Sequence, residues 1–126
     1  MGLRVGVDLV SVDSVRESLA THGEHYLRRV YTEREVRDCT GPDGVDPERL
    51  AGRFAAKEAA LKVLRPGEVG LAWSAIEVQR DSEGCVSLAL AAGAATLAAD
   101  HGIGDLALSI THESGFASAV VVAHAA

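Results

Sequence analysis

Glu58 and Lys62 stand four residues apart in the stretch Arg53-Phe54-Ala55-Ala56-Lys57-Glu58-Ala59-Ala60-Leu61-Lys62, so on a helix a carboxylate and an ammonium stack one turn apart. Such a pair is ordinarily a surface ion pair that contributes ~0.3 to 0.5 kcal/mol. Here alanines surround it, and their small side chains would let a large ligand approach the helix. Leu50, Phe54, Leu61 and Leu64 follow the helical period and form the expected buried stripe, with Glu58 on its rim. A second carboxylate, Asp8, interrupts the apolar run Gly6-Val7-Asp8-Leu9, where the alternative is a turn or cap role. Two carboxylates on separate elements, with a lysine one turn beyond the second, are the parts of a magnesium and phosphate site. Magnesium is typically held by one or two carboxylates plus substrate phosphates and waters, and lysine adds a compact positive charge.

The elements that must position these groups can be read in order. Leu3 to Val10 reads as a mostly buried first strand with Asp8 near its end. Ser14 and Glu17 have capping-box spacing, which predicts a short helix from there to Gly23, and Thr32 with Glu35 opens a second that Gly41 and Pro42 terminate. Asp46 is a good N-cap and Pro47 suits the first helical position, so the longest helix runs from Glu48 to Leu64, ahead of Pro66-Gly67. Ala75 to Arg80 and Cys85 to Leu90 flank the turn-like Asp81-Ser82-Glu83-Gly84 and read as an antiparallel hairpin. An alanine-rich helix from about Ala91 to His101, capped by Gly102, precedes a second hairpin of Leu106 to Thr111 and Phe116 to Ala123, with His112 at its tip. One strand, three helices, a hairpin, a helix and a hairpin make a single α+β domain over residues 1–126, a long central helix packed on an antiparallel sheet. Val120, Val121, Val122 and Ala123 are apolar on both faces of the last strand, so a helix or another subunit covers the second face.

Composition narrows the classes. The chain is 48% hydrophobic and 24% charged, near the globular average, and its net charge of −6 disfavours nucleic acid, which needs a basic face. No apolar run approaches the ~18 residues of a membrane span, and Arg4 and Asp8 charge the start, so neither a membrane segment nor a signal peptide is expected and the protein is expected to be cytoplasmic. Cys39 and Cys85 match no zinc or redox spacing and read as two reduced thiols, at least one in the core.

Taken in order, Gly6-x-Asp8, Tyr26-x-x-Arg29-Val30-x-Thr32-x-x-Glu35, Leu50-Ala51-Gly52-Arg53-Phe54-Ala55-Ala56-Lys57-Glu58-Ala59, Ile76-Glu77-Val78 and Ser109-Ile110-Thr111-His112 with Ala117-x-Ala119-Val120 resemble the small holo-acyl-carrier-protein synthases over nearly the whole chain. The resemblance implies a phosphopantetheinyl transferase-like fold and transfer of phosphopantetheine from coenzyme A to a serine of an apo acyl carrier protein, leaving 3′,5′-ADP. It implies Asp8 and Glu58 as magnesium ligands, Glu58 and Lys62 as catalytic residues, and Arg53, Lys57, Lys62 and His112 around coenzyme A. Glu58 and a metal-bound water remain alternatives for the base, and Glu113 is a possible third carboxylate. The resemblance also implies a homotrimer with sites at subunit boundaries and docking of the carrier on the first helices, with Arg16, Arg28 and Arg29 the leading candidates. Two departures stand out: Ala107 replaces a histidine common in the family, and Ser14 replaces a common arginine. They keep open a non-catalytic relative that binds coenzyme A or carrier without transfer, beside a different magnesium-dependent phosphate enzyme on the same scaffold.

Overall fold

The computed structural model describes residues 2–126. Strand β1 (Gly2–Ser11) is followed by helices α1 (Val12–His22), α2 (Glu24–Val30) and α3 (Glu33–Asp38), a small ladder of β2 (Thr40–Gly41) and β3 (Gly44–Val45), and the long helix α4 (Pro47–Leu64). A 3-10 turn at Trp73–Ala75 then leads into the hairpin of β4 (Ile76–Arg80) and β5 (Val86–Leu90), helix α5 (Ala92–Asp100), and the hairpin of β6 (Ile103–Glu113) and β7 (Phe116–Ala125). The expected α+β architecture is present, with four helices rather than three ahead of the first hairpin.

Local chemistry explains most of the boundaries. Asp46 Oδ1 accepts the Glu48 N–H at 2.9 Å and Pro47 takes the first turn, as their residue types predict. Thr32 and Glu35 form a complete capping box, with both reciprocal bonds made. The other predicted box does not form. Helix α1 begins at Val12 and is capped by Ser11, whose side chain accepts the Ser14 N–H, because the chain leaves β1 at Ser11 and Ser14 is already inside the first turn. Gly23, expected to end a helix before irregular chain, is instead a bend between α1 and α2 at φ +50°.

The sheet order is β1-β7-β6, all antiparallel, with Asp8 opposite Ala119 and Ala119 opposite Ile110. Helix α4 covers one face. Gly6 and Val10 of β1 and Ala117, Ala119, Val121 and Ala123 of β7 turn toward it and are buried. The helix meets them with Ala51, Ala55, Ala56, Ala59 and Ala60, all fully buried. These alanines are therefore core, and the expectation that they leave room for a ligand is corrected: their small side chains admit the sheet. Of the predicted stripe, Leu50 and Leu64 are fully buried, while Phe54 and Leu61 are half-buried at its margin.

The first strand is not mostly buried as expected. Leu3, Val5, Val7 and Leu9 point away from α4 and are 69, 67, 54 and 65% exposed. Val120 and Phe116 of β7 share that face and are exposed too. For the last strand, the helix covers one face and the other is open in the isolated chain. Among the described residues no helix is long and apolar enough to cross a membrane. Cys39 is buried, which pushes its thiol up to about 11, and Cys85 is exposed; both are free.

The tightest point of the fold is where β1 crosses α4. A Cβ on Gly6 would lie 2.0 Å from the Ala59 carbonyl oxygen and 3.1 Å from Lys62 Cβ, whereas one on Gly2 would meet nothing within 4 Å. Gly6→Ala is expected to cost at least about 3 kcal/mol through overpacking against backbone. Urea unfolding should show this loss, with Gly2→Ala close to the parent.

Candidate active site

Strand β1 alternates, and its even positions face α4, so Asp8 is aimed at the helix while Val7 and Leu9 are not. Helix α4 presents Phe54, Glu58 and Lys62 as one i,i+4 row beside the buried alanines. The two elements meet at this row. Lys62 Nζ donates to the Val7 carbonyl at 2.6 Å and lies 3.5 Å from Asp8 Oδ1. Burial raises the Glu58 carboxyl above its ordinary range, repulsion from Asp8 raises it further, and the Lys62 charge opposes both. Two carboxylates 50 residues apart in sequence (58 − 8) thus share one electrostatic neighbourhood, with an ammonium beside them.

Among the described residues no group of three or more His, Cys, Asp or Glu converges as a ready-made metal cage. The Asp8–Glu58 pair still fits magnesium by the chemistry of its donors. Both are hard carboxylate oxygens, their repulsion is relieved by a divalent cation, and magnesium keeps positions for waters and phosphate oxygens.

The remaining predicted residues divide. Arg53 is 6% exposed, five residues before Glu58, and its Nε and Nη2 have no protein partner among the described residues. Lys57 does not reach the Asp8–Glu58 pair. Its side chain is fully buried, with Nζ 2.6 Å from Glu35 Oε1 and donating to the Trp73 carbonyl at 3.0 Å. Glu35 is equally buried, and its other oxygen accepts the Val78 N–H at 2.7 Å. Burial pushes the Glu35 carboxyl up and the Lys57 ammonium down, and each opposes the other's shift.

His112 belongs to β6 rather than to the hairpin tip, which is Ser114-Gly115. Its Nε2 lies 3.1 Å from the Glu48 carbonyl oxygen, which can only accept, so Nε2 carries the proton. The ring sits over Gly52, where an added Cβ would lie 2.9 Å from Nε2, six residues before Glu58 and about 9 Å along the helix axis, so His112 does not meet Asp8, Glu58 and Lys62 within one chain. Glu113, the next residue of the strand, points to the opposite face with Thr111, so it is no third ligand to this pair in the same chain. Ala107 lies on that outer face as well.

A cavity of 660 Å³ lies between α2 and α3, lined by Leu27, Arg28, Tyr31, Thr32 and Val36 among others, and neither carboxylate borders it. The carboxylates sit instead at an open margin of the sheet, and their convergence, not concavity, marks the site. Of the basic residues named for docking, Arg16 is held by Asp13 at 2.6 Å and Arg28 lies 3.6 Å from Glu24, both pairs exposed. The burial of Glu35 against Lys57, and of Lys57 against Trp73, went unread. Glu35 carried a capping signal and a place in the family motif, neither of which pointed to Lys57, and Trp73 carried no signal.

The arrangement has known counterparts. Residues 4–117 match the family model of the 4′-phosphopantetheinyl transferase superfamily, and the chain belongs to that superfamily. Within it, the chain is 40% identical over 118 residues to the holo-[acyl-carrier-protein] synthase of Halothermothrix orenii, covering 94% of both chains. It is 42% identical over 132 residues to that of Chloroflexus aurantiacus, covering 95% of this chain and 96% of the other. Among solved structures it resembles a Chronobacterium ammoniagenes ACPS–CoA complex with a TM-score of 0.83 and 33% identity, over 100% of this chain and 99% of that one. The Helicobacter pylori holo-[acyl-carrier-protein] synthase in complex with coenzyme A gives 0.81 and 28%, over 95% and 99%.

The charges acting on Glu58 set a direct check. With no divalent metal present, Lys62→Met removes the opposing positive charge and should raise the Glu58 pKa further, while Asp8→Asn removes the repulsion and should lower it. Carboxyl-carbon NMR titration reads both, and shifts of the same sign would mean the three groups do not share a site.

Proposed function

We propose that this chain transfers phosphopantetheine from coenzyme A to a serine of an apo acyl carrier protein, with a magnesium ion held by Asp8 and Glu58. The observation that carries the reading is the meeting of Asp8, Glu58 and Lys62 from two distant segments, in a chain of the superfamily and at 40% identity to named holo-[acyl-carrier-protein] synthases. In the transfer the serine oxygen bonds to the pantetheine-side phosphorus, its proton passes to a base, for which Glu58 and a metal-bound water are the alternatives, the bond from that phosphorus to the bridging oxygen breaks, and 3′,5′-ADP leaves. Bound magnesium supplies Lewis-acid stabilisation of the charge on the pyrophosphate. Lys62 is about half exposed at the site and adds a mobile positive charge for the phosphates, which it can reach by releasing the Val7 carbonyl. Arg53, whose Nε and Nη2 have no protein partner among the described residues, is assigned to a coenzyme A phosphate, where it can bind bidentately. Intact Asp8, Glu58 and Lys62 favour transfer over the non-catalytic alternative.

The outer face of the sheet supports a homotrimer. Val5 pairs with Val122 and Val7 with Val120 across the strands, so the exposed apolar side chains form one contiguous patch with Leu3, Leu9 and Phe116. On this reading His112, out of reach of its own chain's carboxylates, serves coenzyme A at a neighbouring copy's site. The docking surface for the acidic carrier is assigned to the exposed first helices, with Arg16, Arg28 and Arg29.

The deciding experiment incubates the protein with coenzyme A, magnesium and an apo carrier, then weighs the carrier by mass spectrometry. The expected gain is one phosphopantetheine, dependent on magnesium and reduced on the order of a hundredfold or more in both Asp8→Ala and Glu58→Gln. Were Glu58 merely half of a surface pair, its loss would remove only ~0.5 kcal/mol and leave transfer almost unchanged. Full activity in Glu58→Gln would overturn the metal assignment.

Assembly is tested separately. Sedimentation at micromolar concentration should give a trimer for the parent and smaller species for Val7→Asp and Val120→Arg, which place charge in the centre of the patch. A monomeric parent would end the shared-site reading.

A further inference from the structure

Three elements other than α4 meet at the buried pair of Glu35 and Lys57, although neither residue touches the carboxylate site. Glu35 stands in the first turn of α3, accepts the Thr32 N–H that begins that helix, and accepts the Val78 N–H of β4. Lys57 carries the link onward to the Trp73 carbonyl. That carbonyl belongs to the return from α4 to β4, where the chain has no regular structure until the Trp73–Ala75 turn. Among the described residues, Lys57 gives this return its side-chain hydrogen bond from the helix interior, and the Trp73 ring packs on Phe54 with centroids 5.3 Å apart.

The placement matters because of helix geometry. Lys57 precedes Glu58 by one residue, about 100° round the axis, and Phe54 precedes it by one turn on the same row. The row of Phe54, Glu58 and Lys62 is therefore flanked by β1 with Asp8 on one side, and by Lys57 with the Trp73 segment on the other. A ligand lying along the row has the Trp73 segment as its second wall.

We propose that Glu35 and Lys57 are positioning residues: their buried ion pair fixes the Trp73 segment against Phe54 and so shapes the wall along which coenzyme A lies beside Glu58. The inference rests on the transferase reading for its ligand, while the anchoring itself is independent of it. Lys57 holds the segment through one hydrogen bond, and Glu35 holds Lys57 in the orientation that makes it.

The test uses the full chain and two variants. Lys57→Met leaves a buried carboxylate unpaired and is prone to unfold. The double variant Glu35→Gln/Lys57→Met removes both charges, so it is the one expected to fold, while the bond to the Trp73 carbonyl is lost in each. Trp73 is the only tryptophan in the sequence, so acrylamide quenching of its fluorescence reports the anchoring directly. Steady-state transfer reports the wall. In the folded double variant quenching should increase, and the coenzyme A KM should rise about tenfold with kcat and carrier KM within about threefold of the parent. An unchanged coenzyme A KM in that variant would overturn the proposal, whatever the quenching. So would a parallel fall of every parameter with the folded fraction, the mark of a purely structural role. Failure of the parent to transfer at all would instead overturn the transferase reading, with quenching still deciding whether the anchor exists.

Discussion

Helix α4 and the sheet approach each other through alanine and glycine, and this closeness fixes what the rest of the chain can do. Ala51, Ala55, Ala56, Ala59 and Ala60 leave the helix nearly smooth on one side, and Gly6 lets β1 cross where any side chain would strike the Ala59 carbonyl. Close contact brings Asp8, two residues further along the strand, within electrostatic range of Glu58. A bulkier interface would separate the carboxylates, because Asp8 has a short side chain and cannot follow a retreating strand. Packing density and site geometry are here one constraint.

The same helix disposes of its two lysines in opposite ways. Lys57 and Lys62 are five residues apart, about 140° round the axis, so one ammonium enters the interior and the other reaches the surface. The interior one is tolerable only because a carboxylate and a backbone carbonyl receive it. Removing either partner of a buried pair commonly costs about 3 to 5 kcal/mol, since the remaining charge stays desolvated. The surface one makes a long 3.5 Å contact with Asp8 in a half-exposed setting, which leaves it free to exchange partners.

Much of this was legible in the sequence where the signal is local. Asp46-Pro47 announces α4, and Thr32 with Glu35 announces α3, because a cap is made within a few residues of itself. Ser14 with Glu17 has the same spacing and fails, since the pattern does not say where the preceding strand ends. Helix α2, only seven residues long, shows too few turns for a period to stand out. The trio of Asp8, Glu58 and Lys62 was readable from helical spacing, an aspartate out of place and a family likeness. The fate of Lys57 was not, because it is decided by Glu35 on another element. Strand parity separates His112 from Glu113, and it too becomes visible only once the register with β7 is known.

Lys62 has a second consequence, at the border of the sheet. Strand β1 is an edge, and successive carbonyls along a strand point to opposite sides. Asp8 directs its carbonyl toward β7, where Ser118 Oγ donates to it, so the Val7 carbonyl faces outward, and it is this oxygen that the Lys62 ammonium occupies. An unpaired border carrying Leu3, Val5, Val7 and Leu9 at alternate positions is a template for recruiting foreign strands and growing aggregates, and a lysine lying across it is a natural gatekeeper. On the proposed reading, the side chain assigned to the phosphates also covers an open strand carbonyl, so a mutation there would be expected to fall on solubility as well as on chemistry.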